Sequence, residues 1–353
     1  MTRPLRVALI GSARFPIHQP FAGGLEAHTW AMVRGLQRRG HAVTVFGGAD
    51  CDPDLNVEQI IAARPQISDA ARADVSMSED GWLEEHHAYL GLMLDLAASD
   101  DFDIVHNNCL HHLPIAMARM IPVPMVCTLH TPPTPWLESA VQVGPCPVTF
   151  AAVSAHTARA WRSQIPSIRV IANGVDPDVW QRGPGGGPLL WSGRLVPEKG
   201  ADLAIRAARL VGLPLDIVGP VSDNDYFSTC IAPLLGGDVR YLGHLDHTDL
   251  ARLTGAASVS VVTPRWDEPY CLVAAEALSC GTPVCGFARG ALPELLDGQS
   301  AVLVEPDDVD ALAAALLHAT RLSRDAARTH ALAHCSQDLM IDRYESLYAE
   351  LVA

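Results

Sequence analysis

The chain has 353 residues, 49% of them hydrophobic and 18% charged, which suits two packed domains and excludes a small disulfide-stapled module. Its 25 basic residues against 40 acidic ones give a formal net charge of -15, which argues against a broad basic face for nucleic acid. No apolar run approaches the roughly 20 residues of a helical membrane span, and nine cysteines without a C-x-x-C pair fit reduced thiols better than a disulfide framework or a structural zinc.

In chain order, Val7–Ile10 is too short for the apolar region of a secretory signal, so a cytoplasmic protein is expected. Short Val- and Ile-rich runs then alternate with segments of helical period, the pattern of βα units and a parallel sheet. Strands are expected at Leu5–Ile10, Ala42–Phe46, Ile104–His106, Met125–Leu129, Thr149–Val153 and Arg169–Ile171, with helices at Leu25–Arg39 and Trp82–Ala98. Residues 173–188 are dense in Gly and Pro and read as a linker. The pattern restarts with strands at Leu189–Ser192, Pro214–Val218, Val239–Tyr241, Ser258–Val262 and Pro283–Gly286, and helices at Ala201–Val211, Thr248–Ala256 and Leu272–Ser279. Residues 309–353 are helical in period, with breaks near Ser323 and Ser336. The expected fold class is α/β, with two doubly wound Rossmann-like domains: residues 1–176, residues 177–335, and a C-terminal helix at 336–353 that packs back on the first. Such sheets bind ligands at the carboxyl ends of their strands, which places the expected site in an interdomain cleft.

Three clusters carry chemistry. Gly23-Gly24 precede a helix, where glycine lets the backbone approach a phosphate and free N–H groups face it; a plain turn would look the same. Neither a G-x-G-x-x-G fingerprint nor a G-x-x-x-x-G-K-[ST] loop occurs. In the second cluster, Gly193-Arg194-Leu195-Val196-Pro197-Glu198-Lys199-Gly200, two cations five residues apart can clamp a diphosphate, although two solvated loop charges would give the same pair. Lys199 is the single lysine beside 24 arginines, and lysine serves phosphate as a compact point charge where arginine is a planar fork. The third cluster, from Asp267-Glu268-Pro269-Tyr270-Cys271-Leu272 to Glu276 and then Cys280-Gly281-Thr282-Pro283-Val284, puts two carboxylates on either side of the N–H groups of Tyr270, Cys271 and Leu272. Beside cations and a phosphate cradle, that pair fits hydroxyl binding on a sugar nucleotide better than glycoside hydrolysis.

Taken together and in this order, these motifs resemble the retaining glycosyltransferases of family 4, which have the GT-B fold, and the resemblance covers nearly the whole chain. It implies a bacterial-type hexosyltransferase that needs no metal or other cofactor and acts as a monomer or homodimer. Gly23, Gly24, Arg194 and Lys199 would hold the donor's diphosphate, Glu268 the sugar hydroxyls and Glu276 the ribose. His130, after the expected strand Met125–Leu129, would lie beside the reaction centre, so the catalytic set is His130, Arg194, Lys199 and Glu268; His106 reads as structural. Val218, Gly219 and Leu245 would meet the base through backbone, and Tyr270, Cys271 and Leu272 the donor. UDP is the favoured carrier, with GDP and ADP open. The Asp-x-Asp strings at Asp50/Asp52, Asp101/Asp103 and Asp223/Asp225 read as solvated acids or helix caps, not a metal site. Where the family has Gly, this chain has Cys271, and sensitivity to thiol reagents is one expected consequence.

An acceptor pocket is expected in the first domain, lined by His18, Phe21, Trp82, His111 and Trp136. Residues 1–176 carry 12 arginines and 17 acids, a net of -5, which disfavours anionic lipid and favours a small soluble acceptor over a glycan polymer. A nucleotide-sugar epimerase or hydrolase on the same fold, or a non-catalytic sugar-nucleotide-binding protein, would show most of the same residues.

Overall fold

The structure, a computed structural model, describes residues 3–60, 66–76 and 79–353. It divides into two compact units: residues 1–152, 158–170 and 343–353 form the first, and residues 153–157 and 171–342 the second.

The first unit holds a seven-stranded sheet built from β1 (Arg6–Ile10), β2 (Ala42–Gly47), β3 (Val57–Gln59), β4 (Ile104–Asn107), β5 (Met125–Leu129), β6 (Val148–Ala152) and β7 (Ile168–Val170). Its order is β3-β2-β1-β4-β5-β6-β7, and every pairing is parallel. The central strands β4 and β5 are buried along their whole length, so they show no alternation of apolar and polar residues; the polar His106, Asn107 and Thr128 within them are buried and hydrogen-bonded. The short edge strand β3, with the polar sequence Val-Glu-Gln, carried no such signal.

The last residues of the Gln337–Val352 helix belong to this unit. His106 on β4 is buried, with Nδ1 2.5 Å from Tyr348 Oη and Nε2 2.8 Å from Thr128 Oγ1, and Thr128 Oγ1 lies 2.9 Å from Tyr344 Oη. Burial holds the His106 ring neutral, with its pKa pushed down to about 3. His41 Nε2 meets Glu345 Oε1 at 2.9 Å while its Nδ1 accepts from the Leu5 N–H. His106 is therefore committed to packing, as the sequence suggested.

The second unit holds a six-stranded parallel sheet, ordered β10-β9-β8-β11-β12-β13, from β8 (Leu189–Ser192), β9 (Leu215–Val218), β10 (Val239–Tyr241), β11 (Ser260–Val262), β12 (Val284–Phe287) and β13 (Ala301–Val304). Its core gathers Leu189, Trp191, Leu215, Ile217, Val259 and Val261 with the apolar face of the Ala201–Leu210 helix. Both sheets are doubly wound, and the order reverses between β1 and β4 in one and between β8 and β11 in the other. The C-terminal segment breaks at Ser323, whose Oγ accepts from Ala326 N–H at 3.2 Å as a helix N-cap, and again at Ser336. Among the described residues, no helix is long and apolar enough to cross a membrane.

Candidate functional site

In the second unit, the loops leaving β8 and β11 flank the point where strand order reverses, and each carries one half of an ion pair. Lys199 Nζ donates to Glu268 Oε1 at 2.5 Å, with the two side chains 22% and 9% exposed. Trp266 Nε1 donates to the same carboxylate oxygen at 3.0 Å, and the ammonium lies 5.1 Å from the Trp266 ring centroid. Arg194 is far more open, 44% exposed, and its nearest acid is Glu198 at 3.9 Å, a pairing too loose and wet to hold it.

Two glycines make the meeting of Lys199 and Glu268 possible. Gly200 has φ +66, and a Cβ there would stand 2.1 Å from the Thr263 carbonyl oxygen, so the β8 loop can lie against the β11 loop only with hydrogen at this position. Thr263 Oγ1 then donates to Gly200 O at 2.8 Å. Gly290 has φ +59, and its Cβ would lie 2.3 Å from both the N and the O of Glu268. The Ala291 N–H donates to the Glu268 carbonyl at 2.8 Å, which fixes the backbone that aims the carboxylate.

The Leu272–Ser279 helix begins at Cys271, whose φ of 80° and ψ of 72° are left-handed. That conformation is the physical reason glycine suits this position. The Cys271 thiol is buried, and burial, reinforced by Glu268, pushes its pKa far up, so the sequence-based expectation of thiol-reagent sensitivity at Cys271 is corrected: this sulfur is held protonated away from solvent. Among the described cysteines, Cys230 is the exposed one. Tyr270 is buried and Leu272 half-buried in the same apolar cluster. Two turns along, Glu276 is buried, and loss of solvation pushes its pKa up to about 8.

Val218 and Leu245 meet in one small apolar cluster with Leu190. Gly219, at φ +141, donates its N–H to Gly243 O at 2.9 Å and accepts from the Tyr241 hydroxyl at 2.8 Å. The second unit thus places Arg194, Lys199, Glu268 and Glu276 on the loops and helix that follow β8 and β11.

In the first unit, Gly23 is the extended N-cap of the Gly24–Arg38 helix, with φ -168, and buried Glu26 occupies the helix's first turn. His130 follows β5. Its Nε2 lies 3.1 Å from Asn108 Oδ1, and its ring stands edge-on to His28 at 4.9 Å. Burial, with His28 and His106 close by, holds its pKa well below the ordinary histidine value. His28, pushed down to about 4 by burial, has both ring nitrogens buried without a hydrogen-bond partner.

The expected acceptor residues fall into two groups. Trp82, His111 and Trp136 join one ring cluster drawn from the Asp80–Ala98 helix, the loop after β4 and the Pro135–Gln142 helix, while Phe21 packs 5.9 Å from Trp30 and His18 Nδ1 bonds its neighbour's carbonyl, Gln19 O, at 2.8 Å. His111 is pushed down to about 3 by burial and by His112, His86 and Arg14. The Asp-x-Asp strings act locally: Asp52 accepts from Trp30 Nε1 at 2.8 Å, Asp103 from Arg6 N–H at 2.8 Å and Asp223 from Tyr226 N–H at 2.8 Å. Sequence reading missed Trp266, Asn108, His86 and His112. For Asn108 the signal was available, since a polar pair after a buried strand is where α/β sheets place ligand-facing groups.

The model of the family described as Glycosyl transferases group 1 matches residues 183–331, and that of Glycosyltransferase Family 4 matches residues 22–179. A glycogen synthase of Mycobacterium tuberculosis is 30% identical, with 83% of this chain and 81% of the relative covered. A D-inositol 3-phosphate glycosyltransferase of Mycobacterium avium is 29% identical over 93% of this chain and 88% of its own. Among solved structures, Anabaena HepE in complex with UDP-glucose superposes with a TM-score of 0.77 at 18% identity, over 98% of this chain and all of that one. AviGT4, a glycosyltransferase involved in avilamycin A biosynthesis, gives 0.72 at 22% identity over 99% and 98%.

Proposed function

The chain belongs to glycosyltransferase family 4, with the two-domain GT-B fold, and from that premise we propose that it moves a hexosyl unit from UDP-sugar to a hydroxyl of a small soluble acceptor, with retention at the anomeric carbon and without a metal. The Lys199–Glu268 pair carries this reading: a cation suited to a leaving diphosphate and a carboxylate suited to sugar hydroxyls are held against each other on the loops where such a sheet binds ligands. HepE was crystallised with UDP-glucose, which favours UDP over GDP and ADP. The inositol phosphate relative supports a polyol-sized acceptor, and the acidic first domain agrees with it.

In the proposed reaction the bond from the anomeric carbon to the diphosphate oxygen breaks, and its electron pair leaves with the diphosphate. Lys199 and Arg194 stabilise that developing charge. The acceptor hydroxyl attacks from the same face, its oxygen bonds the anomeric carbon, and its proton passes to the departing phosphate oxygen. Glu268 orients the sugar, Glu276 accepts from the ribose hydroxyls, and the N–H groups of Cys271 and Leu272 receive phosphate oxygens. His130, kept neutral and fixed by Asn108, serves as a hydrogen-bonding group beside the sugar rather than as a cation.

The test is a panel of UDP-, GDP- and ADP-sugars with the purified chain, following thermal stabilisation and slow nucleotide release. A ligand stabilises as RT ln(1 + [L]/Kd), so one base and sugar should stand apart, and Lys199→Ala should abolish the effect. No stabilisation by any donor would overturn the reading.

A further inference from the structure

Histidines 86, 111 and 112 come from two separate elements of the first unit and converge so that one ligand atom from each lies within 4.8 Å of the other two. The Asp80–Ala98 helix presents Trp82, His86 and Tyr89 at i, i+4 and i+7, which is one helical face. The loop leaving β4 supplies His111 and His112, and the Pro135–Gln142 helix supplies Trp136. Each imidazole is stacked on an aromatic ring: His86 on Trp82 at 4.9 Å and 16°, His111 on Tyr89 at 4.4 Å and 17°, His112 on Trp136 at 4.5 Å and 22°.

We propose that His86, His111 and His112 form a binding site for one borderline divalent transition metal, zinc or cobalt(II) in chemical class, with a fourth position left for water or a substrate oxygen.

Four observations carry this. The donor set is all imidazole, and no carboxylate belongs to it, which suits zinc, cobalt, nickel or copper and not magnesium or calcium. His86 Nδ1 is buried and has no hydrogen-bond partner, a cost that a metal ion bound at this nitrogen would remove. The stacked rings limit each imidazole to motion in its own plane, and tetrahedral zinc needs nitrogens about 3.4 Å apart given Zn–N bonds of about 2.1 Å. Closure by at most about 1.4 Å from separations of no more than 4.8 Å therefore completes the site. Finally, Glu85, one residue before His86, is already paired with Arg14 at 2.7 Å, so that carboxylate is not drawn toward the rings as a counter-charge.

Loading has one identifiable cost. The Leu113 N–H donates to His111 Nδ1 at 3.3 Å, at the long end of hydrogen bonding, and metal on either nitrogen of that ring displaces this bond. The site is separate from the Lys199–Glu268 pair, lies in the other unit, and does not depend on the transferase reading. It would tie the loop after β4 to the Asp80–Ala98 helix, the segments that carry the expected acceptor residues His111 and Trp82.

The experiment uses the full chain stripped with chelator and titrated with Zn2+ by calorimetry and with Co2+ by visible absorption. The expected result is one equivalent bound, tetrahedral cobalt bands without a thiolate charge-transfer band, and affinity lowered roughly tenfold or more in both His86→Gln and His112→Gln. The amide signal of Leu113 should shift on loading of the wild type, a readout that needs no variant and covers the case in which a substituted chain misfolds. Magnesium should not compete. Affinity in either variant equal to that of the wild type, a thiolate band, or saturation without movement of the Leu113 amide would each overturn the proposal.

Discussion

Lys199 and Glu268 lie 69 positions apart in the chain, yet the ammonium and the carboxylate meet at 2.5 Å, with Trp266 closing the same oxygen from the other side. Each residue therefore sets the position of the other. Removing either leaves its partner poorly placed, so the two effects on turnover should overlap. Lys199→Ala and Glu268→Ala are each expected to lower turnover by roughly 10²- to 10³-fold, as for loss of one preorganised charge-stabilising group. The double variant should fall well short of the product of the two. Steady-state rates on the four proteins check this, and a fully multiplicative double variant would separate the two roles.

Glu276 gives a pH dependence with a definite sign. In the folded chain its proton is held up to about pH 8, against an ordinary value of 4.5, because burial disfavours the carboxylate. Stability from this shift is fully present below the unfolded value and is lost as pH rises through about 8. Glu276→Gln, always neutral, should therefore gain in Tm relative to wild type between pH 5 and pH 9. A carboxylate accepting ribose hydroxyls works best ionised, so nucleotide affinity of the wild type should rise over the same range and that of the variant should stay flat. Calorimetric scans and nucleotide titrations at three pH values test both; a pH-independent difference in Tm would remove the argument.

Thiol chemistry should follow exposure. Brief alkylation of the native chain is expected to label Cys230 and spare Cys271, whose sulfur is buried and held protonated. Peptide mass analysis reads the site of labelling directly. Loss of activity that tracks modification of Cys271 rather than Cys230 would contradict the burial argument.

Most strand positions and most helix ends were legible because buried parallel strands and amphipathic helices write different periods into the chain. Met125–Leu129, Leu189–Ser192, Val239–Tyr241 and Leu272–Ser279 stand where periodicity put them. The edge strand β13 and the Pro135–Gln142 helix went unread. The first is a four-residue apolar run with no alternation, whereas the second did carry a signal, Thr134 as N-cap before Pro135. At the site, residue types were legible but pairings were not. Nothing local in Lys199 points to Glu268, and nothing in His86 points to His111 and His112, because those meetings join segments that are distant in sequence: the loops after the neighbouring strands β8 and β11, and the Asp80–Ala98 helix with the loop after β4. Cys271 was visible as a departure from glycine, and only the backbone angle showed what the departure costs.

The His106 network should be a stability element. Tyr348→Phe removes the hydroxyl 2.5 Å from His106 Nδ1 and leaves a buried ring nitrogen without that partner, at a cost of about 1–3 kcal/mol. Tm should drop by several degrees, with turnover of the folded protein unchanged well below the transition. Tyr344→Phe should cost less, because Thr128 Oγ1 keeps its bond to His106 Nε2. Negligible losses in both variants would mean that the rings matter here and the hydroxyls do not.

Gly290 and Gly212 separate backbone strain from contact. Both have left-handed φ, +59 and +66, but a Cβ at Gly212 meets nothing within 4 Å, while one at Gly290 lies 2.3 Å from Glu268 N and O. Gly212→Ala should therefore show the strain alone, about 1–2 kcal/mol, and leave turnover intact. Gly290→Ala carries the same strain and in addition must push the Glu268 backbone aside, which breaks the Ala291 N–H bond to the Glu268 carbonyl and swings the carboxylate away from Lys199. Its donor-dependent thermal stabilisation and its turnover should fall together by roughly tenfold or more, since small misplacement of a positioning group costs that much. If Gly290→Ala matches Gly212→Ala in both stability and turnover, Glu268 is not held by this contact, and its aim comes from Trp266 and Lys199 alone.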